Sequence, residues 1–200
     1  MKNIAAFRNV TPNAKLAMVN QRLGNPGLKK NQGSSVEVYD YVAVTPGSAG
    51  VVRFFDQVNT KTFPLTNIQQ NQLTVGEGLA IEYIAFTRMV IKAGVVTDYK
   101  ALTQAIAALS VSQFSFLLDN SRIVKNNSLT RTFTDLNTKG GTAKNSLFYP
   151  DTDLTIPTQV PFTAELNIPA NTDTSSEGEV VYYGIHLFGT GAILNLKSNV

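Results

Sequence analysis

Few residues in this chain could carry out bond-making chemistry, and those few are scattered. His186 is the only histidine. A serine triad would need it as general base, yet no Gly-x-Ser-x-Gly elbow supplies the nucleophile. It lies among Tyr182, Tyr183, Ile185 and Leu187, in a strand-like apolar run where an imidazole reads as structural. One imidazole and no cysteine exclude histidine-rich metal sites, thiolate zinc, disulfides and cysteine nucleophiles. Calcium takes about six to eight oxygen ligands. Asp151 with Asp153, or Asp173 with Glu177 and Glu179, could begin such a set, but neither cluster follows the EF-hand pattern, and loop acids are usually solvated. Glycoside hydrolysis needs two carboxylates across a cleft. Glu77, Glu82 and Glu165 are the candidates, and the absence of tryptophan weakens a sugar-platform reading.

Anion-binding motifs are equally sparse. Gly76-Glu77-Gly78 and Gly140-Gly141 are turn glycines without a Walker lysine or a following helix. The aromatic pairs Phe54-Phe55, Phe148-Tyr149 and Tyr182-Tyr183 could stack bases only if exposed beside basic residues. In strands, one member of each pair belongs to the core. The basic residues are concentrated elsewhere. The first 36 residues hold Lys2, Arg8, Lys15, Arg22, Lys29 and Lys30 and no acidic side chain. That segment carries +6, so a net charge of +3 leaves −3 for the remainder. The segment is therefore the one electrostatic footprint for a membrane surface or a nucleic acid.

The elements that would position these residues are mostly strands. In the basic segment, Thr11-Pro12 reads as an N-cap with proline at the first helical position, and Gly24 as a C-terminal stop. A helix over Pro12–Leu23 places Leu16, Val19 and Leu23 on one stripe, and Lys15 and Arg22 on another. Residues 24–33 read as a linker, which divides the chain into a basic N-terminal arm, 1–35, and a body, 36–200. Val36, Val38, Val42 and Val44 recur at period two, interrupted by Asp40, and Pro46-Gly47 ends the run. Val51–Phe55 reads as a second strand. Leu79–Ile91 is the strongest strand signal, and its length implies a bulge or bend.

Thr97-Asp98 followed by Tyr99, Leu102, Ile106 and Leu109 reads as a capped helix. Phe114–Leu118, Arg122–Val124 and Thr130–Leu136 read as short strands, and Asn137–Thr158 as a long excursion outside the core. Pro161 and Pro169 bracket a half-buried strand, Phe162–Ile168. Glu179–Leu187 is apolar on both faces, as a strand between two layers would be, and Gly189-Thr190-Gly191 separates it from Ala192–Leu196. With no βαβ alternation, the expected class is all-β, an antiparallel jelly-roll sandwich with one or two short helices.

Composition bears on use. Hydrophobic residues make up 43% of the chain, enough for a sizeable core, while charged residues make up only 16%, against about 25% in a typical soluble domain. Uncharged polar groups cost less to desolvate than ions, so such a surface suits burial against neighbours. The N-terminus lacks a continuous apolar core for a signal peptide. No apolar run approaches the roughly 18 residues of a membrane-spanning helix.

Arg53-Phe54-Phe55-Asp56, Leu73-Thr74-Val75-Gly76-Glu77-Gly78, Phe114–Asp119, Val160–Pro169 and the final Val180–Leu196 pair carry a resemblance. Over Val36–Leu196 the chain resembles jelly-roll capsid proteins of tailless icosahedral bacteriophages with an internal membrane, the finnlakevirus type. The resemblance implies an eight-stranded roll that tiles a shell, with the arm running beneath it towards membrane or genome. A double roll needs about sixteen strands, and 165 residues leave about ten for each, so a single roll is favoured.

The expected function is a non-enzymatic capsid subunit of a virion, in the main coat or at a vertex. Its partners would be other copies of itself and other capsid proteins. Through Lys2, Arg8, Lys15, Arg22, Lys29 and Lys30 it would also meet an internal membrane surface or packaged nucleic acid. No cofactor and no small-molecule substrate are expected. The alternative is a β-sandwich receptor- or carbohydrate-binding module, with ligand contacts from Asn137–Thr158, including Phe148 and Tyr149.

Overall fold

The computed structural model describes residues 31–106, 109, 111–129, 147–150 and 154–194, with side chains described between 35 and 191. Outside them lie Lys2, Arg8, Lys15, Arg22, Lys29 and Lys30, with the helix expected over Pro12–Leu23. The strand expected over Thr130–Leu136, Gly140-Gly141, Asp151 and Asp153 also lie outside.

Ten strands are described: β1 (Asn31–Val44), β2 (Gly50–Phe54), β3 (Glu77–Lys92), β4 (Val95–Ala101), β5 (Gln113–Leu118), β6 (Ser121–Ser128), β7 (Leu147–Phe148), β8 (Leu154–Ile156), β9 (Phe162–Ile168) and β10 (Glu179–Leu194). One short helix, α1 (Leu102–Ala105), follows β4. The fold is all-β, with two antiparallel sheets. The first runs β1-β10-β3-β4, with β7 and β8 also paired to β3, and the second runs β2-β9-β5-β6. The pairs are nested in sequence: β1 with β10, β2 with β9, β3 with β8, β5 with β6.

Side-chain alternation places the core between the sheets. On β9, Phe162, Ala164, Leu166 and Ile168 are buried while Thr163, Glu165 and Asn167 alternate outward. Phe86 on β3 meets Phe114 on β5 edge-on at 5.4 Å, so the aromatic core ties one sheet to the other. Two tight hairpins fix register. Ala93 and Gly94 join β3 to β4, and Asp119 and Asn120 join β5 to β6, all four with positive φ, as type I′ turns require. The middle of the free edge of β1, from Glu37 to Tyr41, is covered. Tyr41 N–H donates to Leu65 C=O, and the Asn67 amide accepts from Tyr39 N–H while donating to Glu37 C=O. An edge blunted in this way does not template another strand.

Several sequence expectations need correction. Thr97, Asp98 and Tyr99 lie in β4 and do not begin a helix; α1 starts after Ala101 and has four residues. Cross-strand pairing of Tyr99 with Met89 and of Asp98 with Val90 overrides the helical spacing. Leu102, Ile106 and Leu109, read as the helix's apolar face, do reach the core. Asn137–Thr158 is not wholly an excursion, because β7 and β8 pair with β3, and Phe148, Leu154 and Ile156 are buried. Gly189–Gly191 does not divide the last strand: β10 is continuous and absorbs a bulge between Phe188 and Gly189. A Cβ at Gly189 would overlap the Ala80 carbonyl, so the close backbone approach demands glycine. β1 begins at Asn31, within the stretch read as a linker.

Candidate functional site

The inner face of the six-stranded sheet belongs to the core, and its outer face is nearly as apolar. Register places its side chains in rows across β4, β3, β10 and β1. These are Val96, Ile91 and Val180; then Tyr99, Met89, Tyr182 and Ala43; then Ala101, Thr87, Gly184 and Tyr41. Beyond them come Ala85, His186 and Tyr39 with Leu147 of β7, and finally Tyr83, Phe188 and Glu37. Tyr149 packs on Tyr83 at 6.0 Å. Six of the seven tyrosines of the chain are therefore here, all but the inward Tyr183. None of these residues is lysine or arginine. An antiparallel sheet in a two-layer sandwich ordinarily wets its outer face with polar side chains, whereas this face carries mostly aromatic and apolar ones.

The rings form a continuous series. Tyr83 stacks on Phe188 at 4.8 Å, Phe188 on His186 at 6.0 Å, and His186 on Tyr39 at 5.4 Å. His186 anchors the polar part. Its Nδ1 lies 2.6 Å from Glu37 Oε1, so Nδ1–H donates and Nε2 is the acceptor in the neutral ring. Tyr41 O–H donates to Nε2 at 2.8 Å, and Thr87 O–H donates to the Tyr41 oxygen at 3.2 Å. Tyr41 reaches this position by lying across Gly184, where a Cβ would overlap its ring. Burial holds the His186 pKa below its usual value, opposed by the bond and charge of Glu37. Burial likewise pushes the Tyr41 phenol well up.

A carboxylate orienting an imidazole that faces a hydroxyl has the connectivity of a hydrolytic triad. Here the hydroxyls are closed off: Tyr41 is 4% exposed and Thr87 9%, and both point at His186 and each other. The network fixes the rings of the face, in keeping with a structural His186.

The other candidate residues are not brought together. Glu82 accepts from Thr190 O–H on the six-stranded sheet, whereas Glu165 is on β9 of the other sheet, bound to Arg122 at 2.9 Å and Arg53 at 3.4 Å. Glu77 accepts from Thr74 N–H in its own turn. Gly76 N–H is occupied by Thr158 Oγ1. Asp173 is turned inward, where it receives Arg88 Nε at 2.9 Å and Tyr183 O–H at 2.8 Å, while Glu179 accepts from Ser176 N–H. Among the described residues no three such ligands converge for a metal. Of the aromatic pairs, Phe54 and Phe55 are both buried, as are Phe148 and Tyr183.

Asp40, read only as an interruption in β1, is fully buried and bound by Lys61 Nζ at 2.8 Å and by Phe55 N–H at 2.8 Å. No sequence signal marks this pair, because 21 residues separate its members.

No family model matches this chain, and no curated protein sequence matches it. The class that fold and site define is an all-β antiparallel sandwich of two sheets with an aromatic outer face.

Proposed function

We propose that this chain is a structural subunit of an icosahedral protein shell, folded as a single jelly roll. The observation that carries the proposal is the nested pairing of strands, first with last and inward in order, which follows when one long hairpin is rolled into two sheets. Eight strands take part in those pairs, the complement of one roll. Jelly rolls serve in capsids, lectins and cupins. A cupin holds its metal with several histidines inside the roll, whereas the sole histidine here is on the outside. A cleft of about 220 Å³ between β1 and β2 is lined by Val42, Val44, Val52 and Ile168 together with Thr45, Ser48 and Tyr183, with no charged side chain.

A shell subunit instead needs surfaces that desolvate cheaply. At one corner of the outer face Val96, Tyr99 and Val180 are 44–56% exposed side by side, which suits contact with other copies or with another shell protein. The arm residues Lys2 and Arg8 supply positive charge for a membrane surface or a packaged nucleic acid. Electron microscopy of the purified full-length protein tests the reading: closed particles are the expected outcome. A monomer at all concentrations that binds glycans reproducibly would favour the receptor- or carbohydrate-binding alternative. In that case Tyr149 and the tyrosine face would be the place to look, since Phe148 is packed against Phe114 at 5.3 Å.

A further inference from the structure

We propose that the free edge of β4 pairs with β4 of a second copy, antiparallel about a twofold axis at Tyr99, so that the six-stranded sheets of two subunits join into one. The pairing needs a single contact and stands whether or not further copies close a shell.

The edge is open. β4 ends the path β1-β10-β3-β4, and among the described residues no backbone group pairs with its outer side. Val95, Val96 and Tyr99 are 63%, 44% and 56% exposed along it. Unpaired N–H and C=O groups beside apolar side chains are a template for another strand. Two other edges are blunted: β1 is covered in its middle by Leu65 and Asn67, and β6 is bent by two register shifts and by Asn126 at φ 47°.

Charge selects the register. β4 carries one acid and one base, Asp98 and Lys100, two residues apart and 2.9 Å from each other. A twofold axis perpendicular to the sheet sets one residue of β4 opposite itself. An axis at Asp98 brings two carboxylates face to face, and an axis at Lys100 brings two ammonium groups face to face, and both are destabilising. An axis at Tyr99 instead sets Asp98 opposite Lys100 of the partner subunit, and Lys100 opposite Asp98 of the partner subunit. The four groups then alternate in sign around the axis. β2 lacks this pattern, because its one charge, Arg53, has no acid beside it on the strand.

The shape of β4 agrees with that centre. Thr97 is left out of the pairing with β3 by the step between Val90 and Ile91, and α1 turns the chain inward after Ala101. The Tyr99 axis keeps the new ladder between those two limits. The outer row that runs from Ala43 through Tyr182 and Met89 to Tyr99 then continues across the axis into the same row of the second copy.

The chain has no cysteine, so Tyr99→Cys carries one thiol, and any disulfide it forms links two copies. Cα atoms that face each other in an antiparallel pair are about 4.5–5.5 Å apart, which a disulfide spans. Mild oxidation of full-length Tyr99→Cys should give a dimer on a non-reducing gel. Val96→Cys, also exposed but three residues from the axis and so about 20 Å from its copy, should cross-link at least about tenfold more slowly. Asp98→Lys and Lys100→Asp, each alone, set like charges face to face and should weaken self-association in sedimentation by about tenfold. Mixed in equal amounts, the two variants regain opposite charges at both positions and should associate about as tightly as the unaltered chain. Arg88 keeps its bonds to Asp173 and Thr174 in Asp98→Lys, and far-UV circular dichroism checks that the body is intact. A Tyr99→Cys chain that stays monomeric leaves the edge to a strand of a different protein and overturns the proposal. Cross-linking as fast at Val96→Cys, or no gain on mixing two folded charge variants, overturns it too. Closed particles whose Tyr99→Cys form does not cross-link would refute this pairing and leave the shell reading standing, whereas a cross-linked dimer that builds no particle would do the reverse.

Discussion

Replacing Asp40 by alanine should destabilise the fold by about 3–5 kcal/mol, the usual cost of removing one partner of a buried ion pair. Asp40 is 0% exposed, and both of its oxygens are 2.8 Å from Lys61 Nζ. It also accepts Phe55 N–H at 2.8 Å, where Phe55 holds φ 64°, a value that a bulky residue adopts only under constraint. Alanine leaves the Phe55 N–H unpaired, at about 1–3 kcal/mol, and leaves Lys61 without its anion. Lys61 is 16% exposed and its flexible stem can carry the ammonium towards water, which limits the second loss. The two losses share one carboxylate and do not simply add.

Asp40→Asn keeps an acceptor for Phe55 and should cost less than alanine. Asp40→Asn/Lys61→Met removes both charges and should recover much of the stability, since replacing a whole buried pair is often close to neutral. Urea unfolding followed by tyrosine emission measures all three. With a slope of about 2–3 kcal/mol/M, the alanine midpoint should fall by roughly 1–2 M. A loss below about 1 kcal/mol for Asp40→Ala, or a double variant as unstable as the sum of its singles, would refute the reasoning.

Three further outcomes follow from the geometry. Gly189→Ala should cost about 1–3 kcal/mol in the same urea assay, because its Cβ would run into the Ala80 backbone, while Gly50→Ala, with open space around it, should cost little. Ala93→Asn should stabilise by about 0.5–1 kcal/mol, since position 93 holds φ 51° in a two-residue hairpin where asparagine is at ease; a loss of stability would contradict the turn assignment. For His186, the folded pKa is below the unfolded value of 6.5, so the unfolded state binds the extra proton first. Its contribution is complete above pH 6.5 and is lost as pH falls from there through the folded pKa. His186→Gln should flatten that part of the stability curve, as measured by thermal unfolding across pH 4–7.5.

The strands that sequence made legible are those whose limits are local. Pro161 and Pro169 cannot donate to a ladder, and β9 occupies the interval between them. β3 shows its length in its own alternation, and the irregularity that length implied is present as the step between Phe188 and Gly189 and another between Val90 and Ile91. Elements whose identity depends on distant partners were misread. Thr97–Ala101 carries helical spacing with the residues after it, but it belongs to a strand that begins at Val95, directly after the type I′ turn, and so pairs with β3. Leu154–Ile156, with aspartate and proline on either side, has too few residues to show a period and becomes a strand only because Leu79–Ile81 offers it an edge.

The aromatic face illustrates the same division within a single strand. That Glu179–Leu187 is apolar on both faces was visible in Val180, Tyr182 and His186 as well as in Val181, Tyr183, Ile185 and Leu187. What those outward residues do was not visible, because Glu37, Tyr41 and Thr87 reach His186 from 149, 145 and 99 residues away. Gly184 lies inside β10, where a glycine gains no packing of its own. In the sheet it is the space that lets Tyr41 lie across the strand to His186 and Thr87, so a residue that lowers strand propensity is what allows the polar network to close. An outer face that carries a buried imidazole, six phenols and no lysine has little to gain from water.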